Sequence, residues 1–153
     1  MMKIRNVLIG LIASAVLVGV VSCGSGSGDY GQPPAGGGQT PLGPTLDSIQ
    51  ANVFSVNCAG CHAGATPPQG LSLASADSSY TNLINVVSPR DPNPSNPTYV
   101  RVRPGNPNDS FLIQKLEGTQ TLGNPMPLPL GTPPLPPATI DVIRQWIQNG
   151  APR

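Results

Sequence analysis

Apolar residues recur at helical spacing in four places along this chain, separated by polar and proline-rich stretches that interrupt any longer pattern. Leu46, Ile49, Val53 and Phe54 mark one helix over 46–57, with Thr45 placed to cap it and Asp47 in its first turn. A short helix is predicted over 80–86, "YTNLINV", behind Ser78 and Ser79. A third is predicted over 110–117: Asp109 is its cap, Phe111, Leu112 and Leu116 are its apolar side, and Gly118 is its stop. The fourth begins near Pro137, a good first-turn residue, and ends at Gly150. Its stripe is Ile140, Ile143 and Ile147, with Val142 and Trp146 beside it. No segment alternates as a strand. The expected fold class is all-α, a small helical domain with long Pro-rich loops.

The N-terminus follows a different pattern. Lys3 and Arg5 precede an almost unbroken apolar run over 7–21, which is followed by small residues and Cys23. That order reads as a secretory signal peptide over 1–22, and the run is short for a membrane span, which needs about 20 residues. "VVSC" resembles a bacterial lipobox, which implies lipidation of Cys23 and a membrane anchor. Gly24 rather than Asp follows it, and resemblance to Gram-negative lipoproteins then implies sorting to the outer membrane. The expected localisation is therefore exported, at the periplasm or cell surface. Residues 23–44 hold the cysteine and a Gly/Ser/Pro linker expected to act as a disordered tether, and 45–153 form the folded domain.

Charge narrows the partners. Of the eight Lys and Arg, Lys3 and Arg5 precede Cys23, leaving six against seven Asp and Glu and a formal net charge of −1. No basic cluster points to nucleic acid. The domain is also poor in core-forming side chains: aromatic residues make up 4% of the chain, and 20 prolines are spread through segments such as "SPRDPNPSNP" and "NPMPLPLGTPPLPP". A small domain of this kind usually needs a staple, whether disulfide, metal or cofactor.

"NCAGCHAG", 57–64, is the one stretch dense with chemistry, and it admits three readings. Structural zinc wants four ligands, but His62 is the only histidine and the only further cysteine is Cys23, across the linker. A thiol–disulfide site wants its Cys-x-x-Cys at a helix start in a βαβ setting, whereas the segment before Cys58 reads as helix and no strand follows. Covalent haem needs all three residues at this spacing. Cys58 and Cys61 lie one turn apart to add across the two porphyrin vinyl groups, and His62 follows at once as the proximal iron ligand. Export fits as well, because c-type haem is attached outside the cytoplasm. The expected cofactor is one covalent haem c.

Elimination narrows the distal ligand to Met126, Lys115 or none. Bis-histidine ligation within one chain is impossible, and signal removal takes Met1 and Met2, leaving Met126 as the only methionine and Lys115 as the only lysine. Met126 lies in "GNPMPLP", between prolines expected to hold an extended loop, and is the predicted distal iron ligand. The competing role for it is an apolar plug over the haem edge. Lys115, inside the third helix, is expected to be solvated.

At this point the residues resemble a family, the class I c-type cytochromes. Phe54 precedes "NCAGCH", "NPMP" corresponds to a distal methionine loop, and "IDVIRQWIQNGA" to a C-terminal helix; "RVRPGNPNDSFLIQKL" narrows the likeness to cytochrome c-like domains of exported bacterial proteins, over about 46–152. The resemblance implies that the first and last helices cross, with Phe54 and Trp146 as core aromatics. It also implies an arginine near a haem propionate. Arg101 and Arg103 are both candidates, and a plain solvated arginine suits either equally. The segment "SPRDPNPSNPTYVRV" departs from the simplest members.

The function expected is single-electron transfer in the bacterial cell envelope between redox donor and acceptor proteins, without catalysis. Two alternatives stand beside it: a haem ligand-binding or redox-enzyme module with an open distal site, and a structural envelope lipoprotein stabilised by haem. The second histidine that a distal acid–base group would call for is absent from the sequence.

Overall fold

The first helix runs further than its apolar pattern suggested. A computed structural model describes residues 41–129 and 131–153, so the signal peptide, Cys23 and most of the linker lie outside the described residues. Helix α1, Leu46–Ile49, passes without a break into a π-helical stretch, Gln50–Cys58, and then into α2, Ala59–His62. The helical path therefore carries the whole CAGCH motif rather than stopping before it. Thr45 caps it as predicted, its side chain accepting from the Ser48 N–H. In the π-helical part each N–H reaches one residue further back than in an α-helix, as from Ala59 to the Phe54 carbonyl. The wider turn buries Val53 and Phe54 side by side and leaves Ser55, Val56 and Asn57 exposed.

Helix α3 is Ala76–Leu83, four residues ahead of the predicted start. Its cap is Ser75, whose hydroxyl accepts from the Ser78 N–H, and its first turn is polar, so no apolar spacing announced it. Buried Ser79 lies on the inner side of that turn. The helix stops at Ile84, where the backbone becomes extended and makes a parallel bridge with Val102; Val87 makes an antiparallel bridge with Val100. These are isolated bridges, and the described residues contain no strand longer than that.

Helix α4, Phe111–Glu117, starts after Ser110 rather than Asp109. The Ser110 hydroxyl accepts from the Arg103 N–H and donates to the Asn106 carbonyl, which fixes the chain entering the helix. Gly118 ends it in the left-handed region at φ 71°, as the glycine stop requires. Helix α5, Pro137–Gln148, has its proline in the first turn, and the chain turns away through Gly150 just beyond it.

The class is all-α, and one core is shared by the π-helical stretch and by α1, α3, α4 and α5, whereas α2 buries no side chain. Phe54 and Trp146 are both fully buried members of that core, joined by Leu46, Ile49, Val53, Leu83, Ile113, Ile143 and Ile147. Between separate helices the backbones approach most closely where α4 meets α5 and α1 meets α3. The Trp146 indole N–H is satisfied by the Pro152 carbonyl at 2.8 Å, which ties the C-terminal residues down over α5.

The divergent segment after Ser88 is organised by one carboxylate. Asp91 is buried and accepts from the backbone N–H of Asn93 at 2.8 Å and of Tyr99 at 2.6 Å. The Tyr99 N–H, then those of Asn93 and Thr98, with the Arg103 charge behind them, hold this carboxyl below the ordinary carboxylate range against the opposing effect of burial. A lowered folded pKa contributes stability that is present above the unfolded value of about 3.9 and is lost as pH falls through the folded value. Melting temperature measured against pH should therefore fall on the acid side, and Asp91→Asn should flatten that acid limb. A variant with an unchanged acid limb would show that the loop does not depend on this charge.

Candidate functional site

His62 ends α2, and the chain then loops out and returns to it. Its carbonyl accepts from the Leu73 N–H at 2.6 Å, and its ring Nδ1 lies 3.1 Å from the Leu71 carbonyl. A carbonyl only accepts, so the proton of this bond sits on Nδ1, and the neutral ring carries its lone pair on Nε2. A backbone carbonyl that fixes the tautomer and the ring plane is the support a metal-ligating imidazole commonly has.

The returning segment is itself held by two buried polar side chains. Gln50 donates to the Leu73 carbonyl at 3.0 Å and accepts from the Ser79 hydroxyl at 2.6 Å, joining the helix before the motif to the loop after it and to α3. Arg101 donates to the Gln69 carbonyl at 2.5 Å and to the Asn82 carbonyl at 2.8 Å. Gln69 and Gly70 form a turn at φ 57° and 64°, and Gln69 is a residue that enters this region at some cost, so a charged donor on its carbonyl steadies a strained position.

Arg101 is thus buried, not solvated, and burial lowers its pKa from the usual arginine range. Arg103 points elsewhere, donating to the Pro97 carbonyl at 2.6 Å. Both guanidinium groups are engaged with backbone carbonyls.

Cys58 and Cys61 are free thiols, the first half-buried and the second exposed. Cys58 packs against the core, and its sulfur lies 3.9 Å from the Val53 carbonyl. Burial, and then the neighbouring Cys61, push the Cys58 thiol up to about 11. A thiol-exchange site needs the opposite, a thiolate stabilised at neutral pH. Cys58 is accordingly ill suited to be the attacking thiol of such a site.

Met126 also packs against the core, on the far side of a loop from α4. The backbone bends at 126–129 rather than running extended, and the Met126–Pro127 and Leu128–Pro129 peptide bonds are both cis. Met126 lines a small hollow of about 170 Å³ with Leu116, Gly118, Pro125, Thr132 and Pro134; Cys58, Cys61 and His62 are not in its lining. Lys115 is not solvated as its helix position suggested. Its ammonium donates to the Leu122 and Asn124 carbonyls, because this face of α4 meets the returning loop.

The large hydrophobic side chains left exposed among the described residues are Val56 and Leu128. One lies two positions before Cys58 and the other two positions after Met126, so both segments carrying the predicted ligands present apolar surface. The donor set a haem would draw on is then two thiols, an oriented imidazole and a thioether.

Sequence reasoning passed over Gln50 and the Leu71 carbonyl. Gln50 carried a signal, a polar residue within the apolar stripe of Ile49, Val53 and Phe54; a backbone carbonyl carries none. No protein-family model matches the chain, and neither does any curated protein or solved structure.

Proposed function

We propose that the chain is a monohaem c-type cytochrome of the class I kind, anchored in the cell envelope by lipid on Cys23, that passes single electrons between protein partners. The observation that carries this reading is the setting of His62. It follows Cys58 and Cys61 at the spacing covalent haem needs, and its Nδ1 is spent on the Leu71 carbonyl so that Nε2 is left as the ligating nitrogen.

In this reading Cys58 and Cys61 hold the haem by thioether bonds, and His62 and Met126 hold its iron. When bound, the haem supplies a one-electron ferric–ferrous couple whose potential a methionine ligand raises. The protein's own residues do the remaining work. Gln50 and Arg101 brace the loop that orients the imidazole. Apolar Val56 and Leu128 offer surface that a porphyrin would cover. The fully buried Phe54 and Trp146, on the first and last helical segments, support a cytochrome c-like domain as the form of this all-α fold.

Two measurements test the proposal on protein made with its export signal. Haem should stay with the polypeptide through extraction in acid and organic solvent, and a redox titration should follow a reversible one-electron curve. Haem that washes out overturns the covalent assignment, and an iron that does not cycle reversibly overturns electron transfer. The anchor is tested by acyl mass on Cys23 and by partition with membranes; a soluble, unacylated native protein would overturn it.

A further inference from the structure

The loop that carries Met126 leaves α4 at Gly118 and comes back to it at a single residue. The Met126 N–H donates to the Lys115 carbonyl at 2.9 Å, while the Lys115 ammonium donates to the Leu122 carbonyl at 2.6 Å and the Asn124 carbonyl at 2.8 Å. The same ammonium stands 4.9 Å from the centre of the Phe111 ring. We propose that Lys115 is the positioning residue for Met126, a clamp on α4 that holds the loop over 119–126 in the conformation that presents the thioether. The inference rests on the reading of Met126 as the distal ligand.

Three features of the site fit a clamp. The ammonium has three donors and no acceptor, so two carbonyls and an aromatic face use it fully. Its charge is held where burial, and then Arg90, disfavour it, which is tolerable because the loop supplies acceptors. Gly123 lies between the two carbonyl residues at φ 69°, and a Cβ placed there would sit 3.1 Å from the Lys115 nitrogen. Glycine there suits both the left-handed backbone and the close approach of the ammonium.

A distal ligand on a loop competes with outside ligands through the fraction of time the loop is open. Removing charge-assisted hydrogen bonds raises that fraction, by about tenfold for a half-exposed pair. Lys115→Leu keeps an aliphatic side chain, deletes the donors and adds no second sulfur; Lys115→Arg keeps charge and donors in a different shape.

The test uses full-length haem-loaded protein and reads the sulfur-to-iron band in the near infrared, the affinity for imidazole, and amide hydrogen exchange at Met126. Lys115→Leu should weaken the band, bind imidazole about tenfold more tightly and speed that exchange, with haem content unchanged; Lys115→Arg should fall between it and wild type. Lys115→Ala, which deletes the donors and adds no bulk beside the loop, should move all three readouts in the same direction, and it decides the matter if Lys115→Leu fails to accumulate. A Lys115→Leu or Lys115→Ala protein with the wild-type band and imidazole affinity, beside a Met126→Ala protein that has lost the band, overturns the clamp and leaves the ligation standing. A wild-type protein without the band overturns both.

Discussion

A Cys58→Ala, Cys61→Ala protein should carry no haem through acid and organic extraction, and should lose its cooperative thermal transition as well. The second effect follows from the composition of the core. Phe54 and Trp146 are the aromatic side chains fully buried in it, and many of the other described residues are in loops. Domains of this size are stable by only about 5–15 kcal/mol. A ligand held even at a thousand times its dissociation constant contributes about 4 kcal/mol, and a covalent one cannot leave by dilution. If haem is bound as proposed, taking it from a domain with so small a core removes a large share of what keeps it folded. Cys58 should matter more to folding than Cys61, because it packs against the core while Cys61 is exposed. Circular dichroism through a thermal scan, beside haem content, checks the prediction. A double variant that melts like wild type would show that the fold stands without haem, which favours a chain whose cysteines serve another purpose.

Met126→Ala should abolish the sulfur-to-iron band, turn the oxidised iron at least partly high-spin and lower the reduction potential, since the soft ligand favouring ferrous iron is gone. The gain in affinity for an outside ligand can be bounded. If the methionine loop is open between 0.1 and 10% of the time, removing the internal competitor tightens imidazole binding roughly 10- to 1000-fold. The loop should otherwise stay in place, because the Lys115 bonds to Leu122 and Asn124 do not involve the thioether. A spectrum unchanged by Met126→Ala would leave the thioether as an apolar plug and would raise the open-site, ligand-binding reading above electron transfer.

The four helical regions were legible as soon as the apolar spacing was laid out, because a helix buries a face that repeats every three to four residues. The stops at Gly118 and Gly150 were equally legible, since the backbone there enters a region where glycine is least strained. So was the crowding of the thiols and the only histidine into 58–62. The starts were less so. Helix α3 opens with polar Asp77, Ser78 and buried Ser79, and its inner side there is chosen by Gln50 across the core rather than by any local pattern.

Other features could not have been read from neighbouring residues at all. The burial of Arg101 against Gln69 and Asn82 joins segments far apart in the chain, while the Leu71 carbonyl on His62 and the Leu122 and Asn124 carbonyls on Lys115 close shorter loops that no residue pattern announces, and neither does one announce the π-helical winding over Gln50–Cys58. Spacing acts within a turn or two of helix, and composition tells only that some staple is wanted. Which carbonyl a buried arginine or lysine meets is settled when the core closes, because a charged donor taken from water must find its acceptors among whatever backbone the packing has brought beside it.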